Sequence, residues 1–227
     1  MVNNIIEAWY WIFLLAALVA AGIYYSIFSI RNLWAILKEQ RKSGQSAEFD
    51  EKISEPYSKR IVIIHWLTVL LLIVGWYLGD MLADARNGNG ATLAGYYAHA
   101  LVGGTVLALT LLRWTFRSVD GAPPAGHTLM DLAARGVHHA LYVLLVLLAI
   151  TGFMTALTSG VGPALLKADA SLLPLKYTGP AAFPHLAHEI LMNVLIAVVI
   201  VHILGALMHQ FILKDGLMRR MSLRRKC

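Results

Sequence analysis

No residue between Glu189 and Lys214 carries a charge. Those 24 residues are mostly Leu, Ile, Val and Ala, and as an α-helix they would reach about 36 Å, beyond the roughly 30 Å of a bilayer's hydrocarbon core. In lipid the backbone must satisfy its own hydrogen bonds, so a run of this kind folds as a spanning helix. Three histidines mark it: His188, His202 and His209, spaced 14 and 7 residues apart. Fourteen residues of helix advance about 21 Å and return to nearly the same face. A single imidazole in lipid is explained by polar contact between helices. A stripe at regular depth asks for partners on other helices, because such groups are costly there and mark function.

Four further apolar runs precede it, at 8–30, 61–79, 93–112 and 137–157. Charged residues make up 14% of the chain, against about 25% in soluble domains. The fold expected is all-α and membrane-integral: a four-helix transmembrane bundle with one additional N-terminal span. Residues 1–37 would form that first span, 38–60 a cytoplasmic linker, 61–213 the bundle and 214–227 a basic cytoplasmic tail. The first run does not read as a signal peptide, since Glu7 precedes it and no basic segment does. Trp9, Tyr10 and Trp11 suit one membrane interface and Trp34 the other. Loops are expected at 80–90, with its Asn-Gly-Asn-Gly, at 113–135, and at the Pro- and Gly-rich 159–187.

Five spans put alternate connections on opposite sides. Of 19 Lys and Arg, sixteen fall in the linker, in the connection holding Arg113, Arg117 and Arg135, and in the tail. Arg86, Lys167 and Lys176 are left for the other side. The positive-inside rule then places the N-terminus outside and the C-terminus in the cytoplasm. The same asymmetry accounts for the net charge of +6, leaving no need for a nucleic-acid partner.

Topology converts position into depth. His65 lies about one turn into the inner half of its run, level with His202; His99 lies in the outer half, level with His188. Four histidines sort into two pairs, one in each leaflet. Facing imidazoles at one depth suit axial ligation of a haem iron wedged in a helix bundle. Gly103, one turn from His99, and Gly104, Gly205 and Ala206 leave room for a planar group. Zinc fits less well: His188-Glu-Ile-Leu-Met192 lacks the second histidine of a zinc-protease motif, and each pair offers two ligands where zinc takes three or four. Cys227 is the one cysteine, so thioether-bound haem and cysteine-ligated clusters are not expected.

The chain resembles the bacterial cytochrome b561 family of di-haem, quinone-reactive membrane cytochromes. The resemblance rests on Arg60-Ile-Val-Ile-Ile-His65-Trp-Leu, His99-Ala-Leu-Val-Gly-Gly-Thr-Val-Leu, His138-His-Ala-Leu-Tyr142 continuing to Thr151-Gly152, His188-Glu189, His202, and His209-Gln-Phe-Ile-Leu-Lys-Asp-Gly-Leu-Met-Arg-Arg-Met221. It covers about residues 56 to 225. It implies two haem b groups, one held by His65 and His202 and one by His99 and His188, in a multi-pass protein of the bacterial inner membrane. The first span departs from the family's four-span form; it would act as an anchor, a cover facing lipid, or a docking surface for a partner. Cytochrome b subunits of hydrogenases and formate dehydrogenases are a related group and keep a second reading open, that of an electron-transfer subunit. A histidine-bearing transporter without cofactor is the third.

Two haems stacked through a bilayer would carry electrons between an outer donor and the quinone pool, with superoxide among the donors the resemblance suggests. Superoxide:ubiquinone oxidoreductase activity is therefore the enzymatic reading. Quinone reduction needs protons, and His209, His138 and His139 are candidates to supply them, with propionate binding or interface polarity as competing roles. Arg60, Arg113 and Arg135 either neutralise inner-haem propionates or are ordinary positive-inside charges. Lys167 and Lys176 either attract an outer anion or are simply solvated. His185 and His127 have no specific assignment.

Overall fold

The structure, a computed structural model, describes residues 56–87, 90–121, 129–213 and 217–223. The expected first span at 8–30, most of the linker, and His127 lie outside them. Five α-helices follow in order: α1 Lys59–Asn87, α2 Leu93–Asp120, α3 Leu129–Thr158, the short α4 Val161–Lys167, and α5 Ala182–Met208. A π-helical turn, His209–Leu213, prolongs α5, and 3-10 turns form at Ala170–Leu172, Gly179–Ala181 and Leu217–Met221. Four of these helical stretches are long and apolar enough to cross a membrane. No strand occurs among the described residues.

The helices outrun the apolar runs that predict them. Residues 80–87 continue α1 where a loop is expected, and the connection expected at 113–135 shrinks because α2 reaches Asp120 and α3 begins at Leu129. Arg113 and Arg117 therefore lie on α2, and Arg135 lies on α3. Apolarity reports the hydrocarbon core, whereas hydrogen bonding carries a helix on into the interface. Arg117 in the last turn of α2 also complements the negative end of the helix dipole. The 159–187 stretch holds α4 and two 3-10 turns where an irregular loop is expected.

The start of α2 is set by Thr92, whose hydroxyl accepts the Gly95 N–H at 3.1 Å. Its end is set by Gly121, at a φ of 77° that suits glycine. Thr92→Ala is expected to lower stability by about 1 kcal/mol, a typical loss for an N-cap oxygen, read from the denaturation midpoint in detergent.

Packing divides the bundle into two close pairs, α1 with α2 and α3 with α5, joined mainly through α2 and α3. Across the middle, α1 and α5 make almost no close backbone approach, and neither do α2 and α5. Between the backbones of the two pairs is a slot left to side chains. The outer surface is apolar, with Leu70, Ile73, Leu101, Phe153, Ile200 and Leu204 exposed, as suits a bundle whose solvent is lipid. Threonine hydroxyls buried among the helices are satisfied locally: Thr68 donates to the Ile64 carbonyl and Thr110 to that of Val106, each at 2.7 Å.

The two ends are closed differently. At the end near the start of α1, Arg60 makes a two-pronged ion pair with Asp120 of α2, Ser58 adds a 2.6 Å hydrogen bond to the same carboxylate, and the guanidinium lies 4.4 Å from the centre of the Phe116 ring. The Leu217–Met221 turn docks here as well. Trp66 Nε1 donates to the Met221 carbonyl at 3.0 Å, Tyr57 N to that of Arg220 at 3.3 Å, and Arg220 is buried. Part of the expected basic tail is thus packed structure.

At the opposite end a lid of α4 and the following turns covers the bundle. Leu82, Tyr96 and Val161 form its core with Ala156, Leu165, Leu173 and Tyr177. The Tyr96 and Tyr177 hydroxyls meet at 3.1 Å, and Tyr97 donates to the Leu165 carbonyl. Tyr177 stacks on His185 with ring centres 4.0 Å apart, while the Arg86 guanidinium lies 5.0 Å from the centre of the Tyr177 ring. Burial, and secondarily the Tyr96 hydroxyl, push the Tyr177 phenol above its ordinary 10.0. A raised value means the fold prefers the neutral phenol. Its stabilisation is complete below pH 10 and falls away as pH rises towards the higher folded value. Titration of phenolate absorbance should show this tyrosine ionising later than free tyrosine does, and the delay should shorten in Tyr96→Phe.

Candidate functional site: two histidine pairs across the slot

Each pair spans the slot between the two halves of the bundle. His65 of α1 faces His202 of α5 with ring centres 6.4 Å apart, and His99 of α2 faces His188 of α5 at 6.2 Å. The ring planes cross at 72° and 73°. These separations are informative. Two imidazoles that bind one metal ion from opposite sides, each nitrogen about 2 Å from it, have ring centres about 6.3 Å apart. Both pairs stand at that separation although the backbones of α1 and α5, and of α2 and α5, stay apart. A bis-histidine haem fits this arrangement: the facing rings of each pair would hold its iron. Among the described residues no cluster of three or more His, Cys, Asp or Glu is disposed to hold a metal ion, so a zinc site finds no support there.

The surroundings of the His99–His188 pair fix its rings. Nδ1 of His188 donates to the Leu148 carbonyl of α3 at 2.9 Å, with the Thr151 hydroxyl 3.3 Å from the same nitrogen. That leaves Nε2 as the nitrogen available to a metal, the usual division of labour in a ligating histidine. His99 Nδ1 is buried without a hydrogen-bond partner. Glycines floor both rings. A Cβ at Gly152 would stand 3.0 Å from Cε1 of His188, and one at Gly79 would stand 3.2 Å from Cε1 of His99.

The His65–His202 pair has other neighbours. Arg113 Nη1 lies 2.5 Å from Nδ1 of His65, which puts a permanent positive charge at this level of the slot, where an acidic group of a cofactor would be neutralised. His138 of α3 meets His202 edge-on, with ring centres 5.2 Å apart. The Tyr142 hydroxyl, one turn further along α3, is buried without a hydrogen-bond partner. Its ring is 6.3 Å from that of Trp114.

Of the other residues singled out by sequence, Gly103 has open space where a side chain would begin, as do Gly104 and Gly205. His209 opens the π-helical turn after α5. His139 donates through Nδ1 to the Arg135 carbonyl at 2.8 Å, the local bond of a helix surface. Arg60, read as either a propionate partner or an ordinary positive-inside charge, has its guanidinium engaged by Asp120 and ties α1 to α2. Sequence reasoning passed over Leu148, Thr151, Gly79 and Tyr142. Thr151-Gly152 stood in the quoted motif, but a backbone carbonyl such as that of Leu148 leaves no trace in residue types.

The profile of the prokaryotic cytochrome b561 family matches residues 56–222, which takes in all four described spans. A protein named cytochrome b562 from Cereibacter sphaeroides is 32% identical over 169 residues, covering 73% of this chain and 94% of that one. No solved structure gives a significant match. A b-type cytochrome binds haem, so the cofactor-free transporter reading is set aside. The chain belongs to the prokaryotic cytochrome b561 family, and is a multi-pass bacterial membrane cytochrome that binds haem b and transfers electrons.

Proposed function

We propose that this cytochrome holds two haem b groups, one between His65 and His202 and one between His99 and His188, and passes electrons between a donor at the outer face and the quinone pool of the bacterial inner membrane. The observation that carries this reading is the doubled pair of rings facing across one slot at metal-bridging separation. The positive-inside count favours an orientation with His99 and His188 in the outer leaflet and His65 and His202 in the inner one. Haem b supplies the one-electron chemistry of iron. The protein supplies placement: α5 contributes one ligand at each level, 14 residues apart, about 21 Å along its axis.

Reducing a quinone to a quinol takes two electrons and two protons. His209, at the inner end of α5, is the residue best placed to pass protons from the cytoplasmic side, and Arg113 would hold an anionic group beside His65. Superoxide is one donor consistent with the family, giving up one electron to become oxygen. Lys167 and Lys176 would draw such an anion to the lid. The 55 residues ahead of the family match favour a second reading, in which this segment docks a partner enzyme that feeds electrons to the haems.

Reduced-minus-oxidised spectra and a pyridine haemochrome count on purified protein test the proposal. The expected result is a b-type α band with two haems per chain, reoxidised by added ubiquinone. One haem per chain, or reduced protein indifferent to quinone, would overturn it.

A further inference from the structure

The residues of α3 repeat a pattern against α5 that the ligand assignment leaves unused. At one level His188 is held by the Leu148 carbonyl and the Thr151 hydroxyl. At the other, the ring in contact with His202 is His138. The two α5 histidines are 14 residues apart, and Thr151 and His138 are 13 apart. The helices run antiparallel, so α3 offers one orienting partner to each α5 histidine in matched register.

We infer that His138 is a positioning residue for His202, setting the plane of its ring as Leu148 and Thr151 set that of His188. The inference rests on the bis-histidine reading above. Geometry separates this role from ligation. The 5.2 Å between the centres of His138 and His202 is about 1 Å too short for two rings on opposite sides of one metal, and it lies within the 4.5–7 Å of a direct edge-to-face contact. His65 at 6.4 Å keeps the metal-bridging place. Among the described residues no hydrogen bond reaches His202, and the ring of His138 is the aromatic group of α3 that stands against it. A ligand's ring plane governs its overlap with iron orbitals, so losing this contact should alter the electronic signature of the inner haem while leaving its ligands in place.

The test uses full-length protein carrying His138→Ala or His138→Phe, the second of which restores a ring edge without ring nitrogens. Low-spin electron paramagnetic resonance and redox titration are read on each. The inner haem's signals are first assigned by their absence in His65→Ala, and the outer haem serves in every sample as the control for folding. His138→Ala should broaden and shift the inner haem's low-spin signal and move its midpoint potential, with the outer haem unchanged, and His138→Phe should return both towards native values. Loss of the inner haem in His138→Ala with retention in His138→Phe would support the same role. Native signals in His138→Ala would overturn it, as would equal changes in both variants. Native protein with fewer than two haems would instead sink the ligand assignment on which the inference stands.

Discussion

His202→Ala is expected to carry one haem b per chain where the proposal gives the native protein two, and the haem that remains should have the spectrum of the outer site. The size of the effect follows from how the pairs are built. His65 and His202 come from α1 and α5, whose backbones barely approach one another, so little besides the two rings would hold a haem at that level. Removing one ring would leave the group a single protein ligand. His65→Ala should give the same count, while His99→Ala and His188→Ala should each remove the outer haem alone. The sharpest form is the double variant His188→Ala/His202→Ala. Because α5 supplies a ligand at both levels, it should lose both haems and yet insert as a span, since alanine keeps the segment apolar. Haemochrome counts on detergent-purified variants decide the matter. Two haems retained in both His202→Ala and His188→Ala would mean that the facing rings do not hold the iron.

The spans were legible because lipid imposes a blunt rule: about 20 uncharged residues must become helix. Depth was legible for the same reason. Once the charges orient the runs, His65 and His202 fall at one level and His99 and His188 at the other, with no knowledge of packing. What sequence concealed lies outside that rule. Helix ends such as Asn87 and Asp120 sit beyond the hydrocarbon, where apolarity carries no signal. The Pro- and Gly-rich composition of 159–187 reads as loop, yet Val161–Lys167 closes a helical turn there because Tyr96, Leu82 and Tyr177 give it something to pack against. Arg60 looked like a partner for a propionate; its engagement by Asp120, 60 residues away, is a tertiary fact.

The architecture also assigns unequal tasks to its helices. α1 and α2 each present one histidine of a facing pair, and α5 presents two. α3 presents no ring of either pair, but packs closely on α5 and touches both of its histidines, through Leu148 and Thr151 at one level and His138 at the other. A helix in that position would govern the angle of the α5 rings without supplying a ligand itself. Substitutions on α3 should therefore change potentials and spectra, whereas substitutions of the four ligand histidines should change the haem count.

Gly152→Val is expected to strip the outer haem selectively. His188 rests so closely on α3 that even a Cβ at position 152 would stand 3.0 Å from Cε1 and 3.2 Å from Nδ1 of the ring. The ring cannot retreat without breaking the 2.9 Å bond from Nδ1 to the Leu148 carbonyl, which is what keeps Nε2 aimed across the slot. Alanine asks for a few tenths of an ångström of movement; the two γ-methyl groups of valine ask for a displaced ring. Overpacking of this kind costs about 1–3 kcal/mol, or roughly five- to 150-fold in haem affinity if most of it falls on the bound state. The loss can be read by transfer of haem to apomyoglobin. Gly152→Val should release its outer haem far faster than native protein, Gly152→Ala only modestly faster, and the inner haem of both at the native rate. Gly79→Val, which crowds His99 from the α1 side at 3.2 Å, should do the same from across the slot. If Gly152→Val keeps its outer haem as long as native protein does, contact with α3 is not what holds His188 in register with His99.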